Sequence, residues 1–428
     1  MTAQTPASGA HDPYAALRIP DFRRFVASVL TLTVATQIQA VVVGWQIYAV
    51  TKDPLSLGLV GLAEALPFIS IALFAGHVAD RANRRQVVAL AMAAMLGCAL
   101  ALLAFTLVPG SLAHGRVWPI YAVIFASGVA RSFLQPARQA LGAELVPRAL
   151  YPNAVAWRSS MWQSAAVVGP ALGGILYGFG GPALAYGVDL ALVIIALGAI
   201  ARVRAVPDSE SADAVAADQA PVADGLGAGI RFVRSQPVLL GAITLDLFSV
   251  FFGGATALLP IFAADILHAG PEGLGVLRAA PSVGAVLMSL VLAHRPPLRR
   301  SGVVLLLNVA LFGLAMIGFG LSRSFVLSIA LLALSGAVDM VSVVIRSTLL
   351  QVATPQALLG RVSAVNQIFI GSSNEIGAFE SGVAARIMGT VQSVVFGGSM
   401  TILTVLVVSL SVPQLRRLRS MSDVSQRL

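Results

Sequence analysis

Apolar runs of similar length recur along the whole chain, separated by short connections that carry proline, glycine or charge. A helix crossing a bilayer needs about 20 mostly apolar residues. Six such runs lie at about 25–50, 57–79, 86–108, 117–139, 155–178 and 182–203. Six more lie at about 238–263, 273–294, 302–321, 325–350, 362–386 and 391–412. Barrel strands alternate with period two over about ten residues, and these runs are too long and too uniformly apolar for that. The pattern predicts an all-α multi-pass membrane protein with twelve transmembrane helices.

One stretch breaks the pattern. Pro207 to Asp224 reads PDSESADAVAADQAPVAD, acidic and poor in large apolar residues, the composition of a disordered linker. Leu226, Ile230 and Val233 then recur at helical spacing beside Arg231 and Arg234, which predicts a short amphipathic helix on the membrane face. The expected organisation is a tail (1–24), a six-helix half (25–203), a linker with its helix (204–236), a second half (237–412) and a tail (413–428). The halves echo each other: Arg131-Ser-Phe-Leu-Gln135 and Arg346-Ser-Thr-Leu-Leu-Gln351 each precede a proline and a further apolar run. Two pseudo-symmetric halves of like topology are the parallel repeats of a large class of transporters.

Composition names the solvent. The 428 residues are 57% hydrophobic and 11% charged, with a mean hydropathy of +0.86. A soluble domain carries about 25% charged residues, so this chain could not cover its surface in water. The net charge of +9 does not indicate nucleic acid, because the arginines lie between apolar runs rather than on one patch. Most of them fall on the face shared by the tails and the linker. The opposite face holds Lys52, Arg116, Arg323 and Arg386, a bias of roughly five to one that puts both termini in the cytoplasm. The first run is long enough to stay in the membrane and lacks a signal peptide's short core. A bacterial cytoplasmic membrane is the expected location. Cys98 is the single cysteine, which excludes a disulfide within the chain and a Cys-rich metal site. No cofactor or metal is expected, and a monomer is.

Between the second and third runs stands Gly76-His-Val-Ala-Asp80-Arg81-Ala-Asn-Arg84-Arg85. An acid at a crowded helix end needs cationic or helix-terminal partners, and Arg81, Arg84 and Arg85 supply them. In the fifth run stands Gly169-Pro170-Ala-Leu-Gly173-Gly174, where proline bends the helix and glycines allow close approach. The first motif, in order and position, resembles the signature loop of the major facilitator superfamily, with Asn83 where that loop usually carries glycine. The matching loop of the second half, His294 to Arg300, keeps its bases but has Pro297 where an acid might stand. The second motif looks like the fifth-helix motif of exporters in that superfamily. The stretch from Arg131 to Gly174 resembles the branch of enterobactin exporters and macrolide efflux proteins. The resemblance implies outward transport in exchange for protons, with Gly76, Asp80, Arg81, Arg84 and Arg85 as a conformational gate.

Ionisable groups within apolar runs should face the bundle interior, because each is expensive in hydrocarbon. They are Glu64, Arg131, Arg158, Asp189, Asp246, Arg278, Asp339, Arg346, Glu375 and Glu380. A carboxyl in an apolar cavity favours its neutral form and can exchange protons near neutral pH. Glu64 and Asp246 lead as proton carriers, Glu375 and Asp339 stand in reserve, and Arg131 is a partner that tunes them. Arg131, Gln135 and Arg138 share one helix face, and Arg158 and Trp162 another. Gln37, Trp45, Tyr48, Arg158, Trp162, Phe248, Phe252, Arg278 and Arg346 are candidates to line a substrate cavity. Structural ion pairing and ordinary aromatic packing are equally open readings of these residues.

Three functional classes follow. The first is a secondary transporter exporting a small amphipathic molecule, siderophore-like or drug-like, whose partners are that molecule, protons and lipid. The second is a transporter-like receptor or scaffold, or a lipid or metabolite carrier of the same fold. The third, an intramembrane enzyme, would need a metal, phosphate or nucleophile motif, and none stands in a suitable context. The four arginines within the runs favour substrates with acidic or catecholate groups.

Overall fold

The computed structural model describes residues 12–108, 110, 117–204, 222–253, 255–295 and 300–418; the side chains of 72, 73, 79, 80, 222–226 and 357 lie outside the described set. Every long element is a helix: α1 (Pro20–Thr51), α2 (Pro54–Arg81), α3 (Arg84–Leu107), α4 (Trp118–Glu144) and α5 (Tyr151–Ala201). A separate helix, α6 (Val222–Ser235), precedes α7 (Pro237–Phe252), α8 (Gly270–Ala293), α9 (Ser301–Leu321), α10 (Phe325–Ala353), α11 (Gln356–Met388) and α12 (Thr390–Ser411). Each of the expected apolar runs but the seventh falls on one of these helices or on one leg of α5. Among the described residues, nine segments are long and apolar enough to cross a membrane, the segment containing both legs of α5 counted once. Helices α4 and α11, at 27 and 33 residues, are also long enough but carry more polar positions.

Local chemistry sets the boundaries. Proline opens α1, α2, α4, α7 and α8, where its missing N–H is no loss. Asp53 caps α2, Asn83 caps α3 and Ser324 caps α10, each accepting from a backbone N–H of the first turn. Asn83, the departure from the resembled loop, is therefore a helix cap. In α5 the legs meet at Gly180 and Gly181; Gly181 has φ +67°, which glycine adopts freely, and Pro182 restarts the helix.

Two boundaries differ from expectation. The fourth run continues as helix to Glu144, beyond its expected end at about 139. The seventh run is not one helix: α7 stops at Phe252, and short helical turns carry the chain from Ala255 to Ile266. Gly253, where α7 ends, and Pro260 beyond it interrupt the run. The expected amphipathic helix is α6, which packs on α11, with Gly229 close to the Arg361 carbonyl. Its Val233 is buried, Ile230 is exposed, and the Leu226 side chain lies outside the described residues.

The helices alternate in direction, so α1 begins and α12 ends at the same end of the bundle, called here the near end. Three apolar cores show how the halves meet. One joins both halves at the far end, from Val34, Tyr48 and Tyr186 to Leu258, Phe262 and Phe319. The near end has two separate cores. One holds residues from Ala16 to Val203, and the other residues from Val233 to Leu418. The halves are sealed to each other at the far end and packed independently at the near end.

Candidate functional site: a charge cluster between the halves

Glycines bring the helices of opposite halves together. Gly58 of α2 lies against Gly382 of α11, and Gly61 against Ala378 and the Glu375 carbonyl. A Cβ added at Gly58 would stand 3.0 Å from the Gly382 Cα, and one at Gly61 2.8 Å from the Glu375 carbonyl oxygen. Further along, Phe68 fills the space over Gly371. On the other side of the bundle, a Cβ added at Gly174 of α5 would stand 2.9 Å from the Gly275 Cα of α8. At the far rim, Arg386 pairs with Asp53 at 3.1 Å, and Tyr48 donates to Asp265. Toward the near end, α2 and α11 part: a Cβ at Gly76 or Gly360 would meet nothing within 4 Å.

The charges sit where the helices converge. Gly128 lets α4 approach α2 at Pro67 and the Glu64 carbonyl. Arg131, one turn later, donates to the Glu64 carboxylate at 2.9 Å. Glu64 itself stands one turn after Gly61, so it faces α11, where its carboxyl lies beside that of Glu375. Arg278 of α8 stands one turn after Gly275; it donates to the Ala40 carbonyl of α1 at 3.1 Å and lies within electrostatic reach of Glu64 and Glu375. In three helices a glycine contact is followed three residues later by a charged side chain aimed at one centre. Glu64 and Arg131 come from the first half and Glu375 and Arg278 from the second.

A second cluster belongs to the second half alone. Arg346 of α10 pairs with Asp246 of α7 at 2.7 Å and with Asp339, on its own helix, at 3.9 Å. Arg346 and Asp246 are both largely buried. The sequence ranks Glu64 and Asp246 first as proton carriers and holds Glu375 and Asp339 in reserve. The structure instead joins Glu64 to Glu375, and Asp246 to Asp339 through Arg346. Asp189 is buried in α5 with no hydrogen-bond partner for either oxygen among the described residues. Glu380 is met by the Ser381 hydroxyl.

The expected cavity aromatics divide. Trp45 packs edge-on against Tyr177, and Tyr48 is buried at the far rim. Phe248 and Phe252 stack on each other, and Phe252 meets Phe251 and Phe396. Trp162 is half exposed, one turn beyond Arg158. Gln37 packs over Gly169, and Gly173 lies against Ile38 and Val41, so the exporter-like motif touches α1 with two glycines and α8 with the third. In the expected gate, Arg84 pairs with Glu144 of α4, and Arg85 donates to the Ala201 carbonyl at 2.6 Å. Arg81 is exposed, and the Asp80 side chain lies outside the described residues. Sequence reasoning missed the rim pair Asp53–Arg386 and the contact glycines Gly61, Gly128 and Gly275. A glycine three residues before Glu64, Arg131 and Arg278 is the signal that was there to find.

The profile of the family described as Transmembrane secretion effector matches residues 11–427. The Enterobactin exporter EntS of Citrobacter koseri is 27% identical over 401 residues, 94% of each chain. That of Shigella flexneri is 27% identical over 403 residues, 94% of this chain and 93% of the relative. Among solved structures, a D-xylose-proton symporter aligns with a TM-score of 0.70 at 13% identity, covering 92% of this chain and 98% of that one. A bacterial homolog of the human lysosomal transporter Spinster, inward-facing and unoccupied, aligns with a TM-score of 0.66 at 14% identity over 95% and 98%. At these identities the solved structures share the fold.

Proposed function

Because this chain belongs to the Transmembrane secretion effector family of major facilitator transporters, we propose that it exports a small amphipathic molecule across the bacterial cytoplasmic membrane by alternating access, driven by proton antiport. The near end, with its arginine-rich connections, is the cytoplasmic one. In this reading the structure is the state open to the cytoplasm. The relatives' names place enterobactin first among probe substrates and support a siderophore-like cargo.

The observation that carries proton coupling is the contact between Glu64 and Glu375 across the halves. Two carboxyls can share a hydrogen bond when one of them holds a proton. Without that proton the two like charges repel and oppose closure of the far end, though Arg131 and Arg278 soften the repulsion. A proton taken from outside therefore favours far-end closure and the return to the cytoplasm-open state. Its release into the cytoplasm frees the halves to rock the other way with cargo aboard. Asp246 is held by Arg346 within one half and has no such contact across the boundary among the described residues, so Glu375 takes its place beside Glu64 in this reading.

The test is transport by the purified protein in proteoliposomes, with labelled enterobactin and a hydrophobic drug as probes. Uphill movement of a probe that stops when the pH gradient is collapsed is expected. Uphill movement indifferent to that collapse would overturn proton drive.

A further inference from the structure

Among the described residues, Arg138 and Arg158 stand inside the first half without a carboxylate partner. Arg138 of α4 donates to Gln135 of its own helix at 2.8 Å and lies within electrostatic reach of Arg131 and Arg158. Arg158 of α5 reaches across to α4: a Cβ added at Gly142, one turn beyond Arg138, would stand 3.3 Å from its Nη1. The buried Phe25 ring of α1 closes the same spot, 2.9 Å from that added Cβ. Four other arginines of the bundle are answered by acids, Arg131 by Glu64, Arg346 by Asp246, Arg84 by Glu144 and Arg386 by Asp53, and Arg278 donates to the Ala40 carbonyl. Among the described residues no carboxylate pairs with Arg138 or Arg158.

The position suits loading. Arg138 lies six residues before the near-end terminus of α4 and Arg158 seven after that of α5. At 1.5 Å per residue that is about 10 Å inside the bundle. The halves are packed separately at this end. Trp162, half exposed, stands one helical turn from Arg158 on the same helix face.

We propose that Arg138 and Arg158 hold the acidic group of the cargo, so that the exported molecule is an organic anion. The inference rests on the export reading above and names its substrate class. A guanidinium fork binds carboxylate, phosphate or phenolate oxygens in two-point fashion, and two adjacent forks repel each other until an anion lies between them. Closing the near end encloses these arginines, and without an anion that enclosure leaves two unpaired charges in a low-dielectric bundle. An anionic cargo removes the penalty. The site thus selects cargo and prevents the empty protein from cycling.

The same chemistry would fit a lipid headgroup phosphate of the near-end leaflet, so the test separates the two sources. Full-length protein in phosphatidylcholine nanodiscs is titrated with benzoate, benzamide and benzylammonium, three probes with one ring and different charge, read by tryptophan fluorescence. Benzoate is expected to bind about tenfold or more tighter than benzamide, and Arg138→Gln or Arg158→Gln to weaken benzoate by about tenfold or more. Arg158→Lys, which keeps the charge but loses the two-point fork, should bind benzoate better than Arg158→Gln and less tightly than the wild type, and Arg323→Gln at the far end should change nothing. Thermal unfolding of each variant checks that it is folded. Equal binding of benzoate and benzamide, or full benzoate binding in both glutamine variants, overturns the proposal. Replacing part of the lipid with phosphatidylglycerol should leave benzoate binding intact; its disappearance would assign the site to headgroups and overturn the cargo assignment. Because binding needs no turnover, loss of the benzoate preference with intact pH-driven export sinks this site alone. Arginine-dependent binding without export sinks the transport reading instead.

Discussion

Glu64 of α2 and Glu375 of α11 meet at the boundary between the halves, their carboxyls side by side and Arg131 held 2.9 Å from Glu64. Any rocking of one half against the other changes that contact, which makes it the natural point for proton occupancy and conformation to act on each other.

The first prediction separates the two acid clusters. Asp246→Asn should weaken the fold more than the coupling, because it leaves Arg346 short of its closest partner in a buried setting. Losing one member of a buried pair costs about 3–5 kcal/mol, and Asp339 should offset part of it. Thermal unfolding in detergent checks this. An Asp246→Asn protein of wild-type stability that no longer couples to protons would move the coupling site to the second half.

A second prediction concerns the exporter-like glycines. A Cβ at Gly174 would press on backbone of the other half, 2.5 Å from the Pro271 carbonyl oxygen. One at Gly173 would press on Ile38 of the same half, 3.1 Å from its Cα. Overpacking of this kind costs about 1–3 kcal/mol. Gly174→Leu should therefore open the far end and stall transport in a folded protein, whereas Gly173→Leu should chiefly lower the stability of the first half. Accessibility of a far-end cysteine to an impermeant reagent, compared with unfolding temperature, distinguishes the two.

The register of α2 on α11 makes a third. Phe68 lies over Gly371 in an antiparallel pair, and continuing that register sets Gly76 opposite Ser363. A short bifunctional thiol reagent should link Asp53→Cys to Arg386→Cys in the present state. It should link Gly76→Cys to Ser363→Cys only in the state closed at the near end, each in a Cys98→Ser background. Linking of the Gly76→Cys pair in the cytoplasm-open state would refute the register.

The gate loop and the topology give a fourth. Asp80→Asn should slow transport sharply while sparing expression, and Val215→Cys in the linker should resist impermeant thiol reagents in intact cells. Labelling at that position from outside would reverse the orientation.

Much of the fold was legible because hydrocarbon imposes one rule on every span: length and apolar content. The rule blurred where function enters. Helix α4 runs to Glu144, but Arg131, Gln135 and Arg138 dilute its hydropathy and made the run look shorter. The Gly180–Gly181 turn was legible as a break between runs, because glycine before proline has few other uses. The candidate acids were legible one by one, since an acid in an apolar run is conspicuous. Their partners were not. That Glu64 meets Glu375 rather than acting with Asp246 depends on which helix faces pack across the halves, and the small residues that decide it, Gly61 and Gly128, carry no chemistry of their own.

The most direct measurement follows proton and cargo together. Proteoliposomes carrying a pH-sensitive dye and an imposed pH gradient are given labelled enterobactin, with wild-type protein and with the Glu64→Gln, Glu375→Gln double variant. The account predicts uphill cargo movement with opposite proton flow in the wild type. In the double variant it predicts cargo exchange down its gradient alone, with no cargo-dependent proton flow. Uphill, gradient-driven accumulation that survives in the double variant would contradict it.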